Sequence, residues 1–283
     1  MHNGSRSDPA DRPIGLNEEA NGLAKAPADI SRYDLFGWDY QAINPLGERE
    51  VDWHRHWAGT VAGPVLGLAC GTARLLVRLA EDGREVTGID LSETMLGIAR
   101  AHVEALPEAV RRRIRLLRQD MERFDLDERF GMALIADNSF RELPTRRQLL
   151  ACLRTVARHL RPDGKLLVVE RRQRPELYRD GVRRFGWSDP KRDPVTGESV
   201  RRRGYIRLHS NGRRRSGAFE YEVTSAQGRR RTVLCPWSAP VLSLDEYLEL
   251  FRRAGFYPQV FSDYGFVPGD TAGDLWCFVC SRR

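Results

Sequence analysis

The chain has 283 residues, 41% of them hydrophobic, and its 46 Lys and Arg against 39 Asp and Glu leave a formal net charge of +7. That length suits one large domain or two small ones with a sizeable core. No apolar run reaches the roughly 18 to 20 residues that a membrane span needs, and the N-terminus lacks the apolar stretch of a signal peptide, so a soluble, cytoplasmic protein without membrane contact is expected.

Residues 1 to about 30 are rich in Asn, Asp, Pro, Gly and Ala without apolar periodicity. They have too little to bury against the entropy of ordering and read as a disordered tail. Beyond them Tyr33, Phe36 and Tyr40 fall at helical spacing, and Trp53 and Trp57 lie four apart on a second helix. Residues 31–60 therefore read as an aromatic helical lid, and 61–283 as the main domain.

From Pro64 onward, apolar runs of strand length alternate with amphipathic stretches, the pattern of a parallel sheet with helices on its faces. Strands are expected near 64–69, 85–90, 114–119, 131–136 and 165–170. Helices fill the intervals near 72–82, 92–105 and 145–160, the second opening on Ser92 as N-cap. Arg161-Pro162-Asp163-Gly164 closes the third helix before the next strand. After Glu170 a polar, Arg-rich stretch leads to three alternating segments near 204–209, 217–224 and 229–237, an antiparallel insertion at about 203–237. A helix near 243–254 and strands near 257–262 and 274–281 complete an α/β fold of Rossmann-like, doubly wound type, with a mostly parallel seven-stranded sheet.

The most informative segment is Val65-Leu66-Gly67-Leu68-Ala69-Cys70-Gly71-Thr72-Ala73-Arg74, an apolar strand that runs into a turn of small residues and then a helix. Such a turn lets backbone approach a ligand closely, and in an open α/β sheet it lies at the strand ends where cofactors bind. Glu85 to Asp90 ends the second strand in a carboxylate nineteen residues beyond Gly71, placed to accept both hydroxyls of a ribose. After the third strand, Asp120 supplies a second carboxylate where an adenine amino group would sit, with Met121 beside it to cover the ring. The turn is not a G-x-G-x-x-G dinucleotide fingerprint in this register.

With these residues the sequence resembles class I S-adenosylmethionine-dependent methyltransferases. The resemblance is carried by Leu66 to Ala73, Gly88-Ile89-Asp90-Leu91-Ser92 with Met95 and Leu96, Asp120-Met121, and Leu160 to Leu166. It implies S-adenosyl-L-methionine as cofactor. The turn of Gly67, Ala69, Cys70 and Gly71 with Arg74 would face the methionine part, Asp90 the ribose, Asp120 and Met121 the adenine, and Leu91 and Met95 the adenosine pocket; Tyr33 and Asp137 are further cofactor candidates. Two departures stand out: Gly67 replaces the usual acid that helps bind the methionine ammonium, and Ala69 and Ala73 replace glycines. The segment from Tyr33 to Phe36 and the late antiparallel insertion are similar to the glycine N-methyltransferase and sugar-amine N,N-dimethyltransferase branch, which implies that both cover the acceptor.

The acceptor is expected to be a small molecule, a specialised metabolite, methylated on nitrogen, carbon or oxygen. His56 and Tyr40 are the candidate proton acceptors, with His54 alongside, and the alternative for both histidines is a satisfied side chain on an amphipathic helix. Trp38 and Trp53, with Asn138 and Phe140 after the fourth strand, are candidate acceptor contacts. An aromatic acceptor such as an indole and an amino sugar or small amine are the two substrate hypotheses. For Asn138 and Phe140 the competing reading is an Asx turn and a core aromatic, and the tryptophans can equally be core.

Three of the 46 basic residues are lysines and the rest arginine, with triplets at 111–113, 201–203, 213–215 and 229–231. Alone these would make a phosphate-binding surface for RNA or protein substrates. Acids are interleaved with them and aromatics are not concentrated beside them, so solvated faces are expected and nucleic acid is not the expected partner. A non-catalytic binding module is the remaining alternative, and a homodimer is admitted. The five cysteines are odd in number and scattered, which favours thiols over disulfides. Cys277-x-x-Cys280 sits on an expected strand where positions three apart face opposite sides, so no metal is expected there.

Overall fold

The computed structural model describes residue 33 and residues 44–193, 196–209 and 212–282. The expected tail at 1–30 and the candidates Phe36, Trp38 and Tyr40 lie outside the described residues.

The chain begins its described course with helix α1 (Glu48–Gly59). There follow β1 (Val65–Leu68), α2 (Arg74–Glu81), β2 (Val86–Asp90), α3 (Glu93–Glu104), a single-turn α4 (Glu108–Arg111), β3 (Ile114–Arg118), β4 (Phe130–Ile135), α5 (Arg146–His159) and β5 (Leu160–Arg171). Local signals set the helix starts. Ser92 accepts the Met95 N–H at the head of α3, and Thr145 accepts from Gln148 at the head of α5.

Seven strands form one sheet in the order β11-β12-β5-β4-β1-β2-β3, with β11 (Phe256–Ser262) and β12 (Leu275–Arg282) following α6 (Leu244–Arg253). Only β12 runs antiparallel to its neighbours, and the order reverses between β1 and β4, which makes that crevice the binding position in an open α/β sheet. Every residue of β1 and β4 is buried, as strands covered on both faces must be.

Side-chain alternation divides the core in two. Leu66, Leu68, Ala133, Ile135, Leu166 and Val168 face α5 and α6, whereas Val65, Met132, Leu134, Leu167 and Val169 face α1 and α2. Cys280 lies in the first core and Cys277 in the second, so the pair is split across the sheet. Of the segment expected as a lid, α1 buries Val51, Trp53, His54 and Ala58 and is part of the second core.

The late insertion is larger than the sequence predicts. A second, antiparallel sheet has the order β10-β9-β8-β6, with β7 paired to β8. It runs β6 (Val182–Phe185), β7 (Lys191–Arg192), β8 (Ser199–Leu208), β9 (Arg214–Thr224) and β10 (Arg230–Pro240). The missed strands β6 and β7 are short and arginine-rich, and take strand form only because β8 offers an edge. The expected turn at Arg161–Gly164 is also corrected. Pairing with β4 continues through Leu160, and the register then shifts between Phe130 and Met132, so the Pro-Asp-Gly residues are absorbed as a bulge.

Candidate active site

At the crevice the chain after β1 takes an unusual path. Ala69 has φ 48°, Gly71 φ 56° and Ala73 φ 59°, three left-handed residues in one turn, held by Cys70 N–H to the Ile89 carbonyl at 3.0 Å and Ala73 N–H to the Cys70 carbonyl at 2.9 Å. Left-handed backbone costs an alanine about 1 to 2 kcal/mol. Such strain persists where surroundings impose it, and it concentrates at ligand sites. The same holds next door, where Asp137 (φ 49°) and Asn138 (φ 66°) follow β4.

Asp90 ends β2 with one carboxylate oxygen accepting the Gly71 N–H at 2.8 Å and the other accepting the Ser92 N–H at 2.9 Å. Met95 is buried, and its methyl lies 3.8 Å from where a Cβ on Gly71 would be. Leu91 is half-buried and its carbonyl accepts from Arg118 at 3.2 Å. Asp120 caps its own turn through the Glu122 N–H at 2.8 Å and Met121 packs against the first core. Burial, then the nearby Asp90 carboxylate, push the Cys70 thiol well above its usual range, so it stays protonated.

Glu50 reaches the same crevice from α1. Burial first, then repulsion from Asp137, raise its carboxyl to about 7, against a hydrogen bond from Tyr264 and the charge of Arg74. Arg74 opens α2 and donates to the Asn44 carbonyl at 2.6 Å. Tyr264 sits in the β11–β12 turn with φ 59°, and its N–H donates to the Cys277 sulfur at 3.3 Å.

Between β4's end and the second sheet lies a cleft of about 240 Å³. One wall carries Tyr33, Asp137, Asn138, Arg141, Glu142 and Arg171, with the Tyr33 hydroxyl donating to Glu142 at 3.4 Å. The facing wall is one face of the antiparallel sheet. There Arg202 lies over Phe219 at 5.2 Å, Phe219 stacks on Trp237 at 6.3 Å and 11°, and Arg215 lies over Trp237 at 5.2 Å. Arg215 is only 9% exposed. It donates to Gln173 at 2.8 Å, while its Nε has no hydrogen-bond partner among the described residues. Burial, then repulsion from Arg141, lower its pKa to about 10.

Residues 65–164 match the family model described as a methyltransferase domain. Two curated relatives are similar to the chain around it. The dTDP-3-amino-3,4,6-trideoxy-alpha-D-glucopyranose N,N-dimethyltransferase of Streptomyces venezuelae is 34% identical over 120 residues, 42% of this chain and 47% of that protein. The dTDP-3-amino-3,6-dideoxy-alpha-D-glucopyranose N,N-dimethyltransferase of Streptomyces fradiae is 37% identical over 120 residues, 42% of this chain and 44% of that protein. The chain thus spans under half the length of each of these two relatives. Over nearly the whole chain, the CcbJ methyltransferase from Streptomyces caelestis shares the fold with a TM-score of 0.69 at 19% identity, covering 90% of this chain and 99% of that one.

Around the matched stretch, the residues singled out from sequence fall into four groups. Ala69, Cys70, Gly71, Asp90, Leu91, Asp120 and Met121 lie at strand ends and turns bordering one edge of the sheet and Arg74 and Met95 at the helix starts beside them, while Tyr33, Asp137 and Asn138 line the cleft. Gly67 is enclosed instead, since a Cβ there would lie 2.8 Å from Leu76 Cδ1. Three residues are corrected. Trp53 is 1% exposed, its indole N–H donating to the Gly265 carbonyl at 3.1 Å, so it is core and does not face an acceptor. Phe140 is fully buried and stacked on Phe251 at 6.2 Å. His56 is exposed on α1 against Trp57 and Phe266 and does not line the cleft.

His54, its neighbour, is the buried histidine. Its Nδ1 lies 2.8 Å from the Glu50 carbonyl and burial lowers its pKa to about 4, so it is neutral. The Asn138 side-chain oxygen already accepts from the Arg171 N–H at 2.6 Å and Arg141 at 2.8 Å. Arg141 in turn pairs with the fully buried Glu170, which also accepts from the Tyr247 hydroxyl at 3.2 Å. That network braces the end of β4 against β5.

Sequence reasoning missed Glu50, Tyr264, Glu142, Arg171, Arg202 and Arg215. For Glu50 a signal exists, since it lies four residues before the buried His54 on α1. For the arginines, strand alternation was the available signal: Arg201 and Arg203 pair outward with Glu222 and Glu220, both at 2.8 Å, which leaves Arg202 facing the cleft.

Proposed function

We propose that the protein is an S-adenosylmethionine-dependent methyltransferase acting in the cytoplasm on a small molecule that carries both an amine and an anionic group. The cofactor part rests on the turn at 69–73 and Asp90, whose backbone and carboxylate fit a ribose and methionine chain. Asp90 would hold the ribose hydroxyls, Asp120 and Met121 the adenine, and Arg74 with the turn the methionine end. When bound, the group supplies an activated methyl, so the protein's own task is orientation in a dry site.

The observation that carries the acceptor class is the buried guanidinium of Arg215, with its Nε unsatisfied among the described residues, opposite two carboxylates of the cleft. Arg202 and Arg215, stacked on Phe219 and Trp237, face Asp137 and Glu142 across it. A buried guanidinium with an orphaned Nε is satisfied by a carboxylate or phosphate oxygen. An amine held at the opposite wall would sit near Asp137 and Glu142, where a carboxylate can hold an ammonium or take its proton. The names of the Streptomyces relatives, amino-sugar N,N-dimethyltransferases acting on nucleotide-linked sugars, agree with an anionic amine. Five free thiols suit a reducing cytoplasm, and no helix among the described residues is long and apolar enough to cross a membrane.

The test compares matched acceptors, a free amino sugar against the same sugar carried on a nucleoside diphosphate, by methyl transfer from labelled cofactor. The reading expects turnover of the anionic member and a strong rise in its KM in Arg215→Gln. Equal turnover of the neutral member, or an unchanged KM in the variant, would contradict it.

A further inference from the structure

Position 67 is where the family to which this domain is similar carries an acid toward the methionine ammonium, and here it has no side chain. By strand alternation residue 67 points to the same side of the sheet as Val65, Met132 and Leu134, the side covered by α1 and α2. Leu76 fills that space, at 2.8 Å from a Cβ on Gly67, so a carboxylate there would require the Leu76 side chain to shift.

The same side of the sheet receives a carboxylate from a different element. Glu50 lies on the face of α1 that carries Val51, Trp53 and His54 inward. It is hydrogen-bonded by Tyr264 and set between the charges of Arg74, at the head of α2, and Asp137, after β4. Those two residues flank the crevice where β1 and β4 meet. Its placement is fixed from both sides: the Trp53 indole donates to the Gly265 carbonyl at 3.1 Å, tying α1 to the turn that holds Tyr264, and the Trp53 and Tyr264 rings meet edge to face at 5.9 Å.

Given the cofactor reading above, we propose that Glu50 is the acid that binds the α-ammonium of the methionine moiety, in place of the carboxylate missing at Gly67. Glu50 and Asp137 repel each other across a half-buried crevice, and burial together with that repulsion raise Glu50 to about 7. A ligand cation between them relieves the repulsion and pairs the buried charge. The acid has moved from strand to helix, and Leu76 takes the volume it left.

The test is calorimetric titration of the full chain with S-adenosylhomocysteine and with its analogue lacking the α-amino group. Wild-type protein should bind the amino-bearing ligand roughly 10- to 100-fold more tightly, the range of a hydrogen bond to a charged group. In Glu50→Gln, which keeps the size and the acceptor for Tyr264, that ratio should collapse toward unity while affinity for the des-amino analogue is retained. Glu50→Asp should restore part of the ratio. A Glu50→Gln protein that keeps the full ratio, or that weakens both ligands equally, would overturn the assignment. Wild-type protein that binds neither ligand would overturn the cofactor reading itself, and this inference with it.

Discussion

The carboxylate of Asp90 accepts the backbone N–H of Gly71 at 2.8 Å, joining the end of β2 to the turn after β1 across nineteen residues of sequence. The bond holds a strained turn and an acceptor-rich side chain in one place before any ligand arrives. With the ribose role proposed above, Asp90 would serve twice, and its substitutions test both.

Asp90→Ala removes the brace on Gly71 and, on the reading proposed above, the acceptor of the ribose hydroxyls. Affinity for S-adenosylmethionine should fall by roughly 100-fold or more, at about 1.5 to 3 kcal/mol for each hydrogen bond to a charged group. Asp90→Asn keeps one acceptor oxygen and should lose less. Calorimetry on both variants checks the order, and equal affinity in Asp90→Ala would refute the ribose role.

Ala69 and Ala73 are left-handed at φ 48° and 59°. Replacing either by glycine relieves steric cost of about 1 to 2 kcal/mol and adds backbone entropy cost of about 0.5 to 1 kcal/mol. The net expectation is a small gain, up to about 1.5 kcal/mol, read as a rise in Tm. A fall in Tm for both variants would show that the turn is not strained.

His54 is fully buried with a pKa lowered to about 4 by burial. Its folded pKa lies below the ordinary value of 6.5, so the neutral form favours folding. Its contribution is complete above pH 6.5 and is lost as pH falls toward 4, about 3 kcal/mol in all by linkage. His54→Asn should flatten the decline in stability over that window. A denaturant midpoint that falls equally steeply in the variant would contradict the assignment.

Glu50 gives the opposite sign. Its carboxyl is raised to about 7, so folding favours its protonated form. That stability is complete below pH 4.5 and is lost as pH rises through 7. The groups facing it are Asp137 after β4, Arg74 on α2, Tyr264 in the β11–β12 turn and Cys277 on β12, with Arg49 on its own helix. Glu50→Gln should therefore remove a loss of stability between pH 4.5 and 7. An ammonium ligand favours the ionised form, so affinity for S-adenosylhomocysteine should climb from pH 6 to 7.5 in the wild type and stay level in the variant.

Much of this was legible in the sequence because it rests on local signals. The central strands read as unbroken apolar runs, Ser92 marks a helix start, and the turn with Asp90 is encoded within thirty contiguous residues. What escaped depends on tertiary pairing. β6 and β7 have no apolar pattern and exist as edges of β8, and Arg202 and Arg203 differ in role only because successive strand residues face opposite sides. Trp53 and Phe140 were drawn toward the acceptor because aromatic residues near a motif look alike whether they stack on ligand or core. His54 and His56 show the same limit: two positions along one helix separate a buried neutral imidazole from an exposed one, and only the packing of α1 on the sheet decides which is which.

The most direct test of the central claim is isothermal titration of the wild-type chain with S-adenosylmethionine. The turn at 69–73, Asp90 and Asp120 require one saturable site per chain, weakened in Asp90→Ala. Absence of heat together with an unshifted Tm at saturating ligand would show that this turn holds no such cofactor.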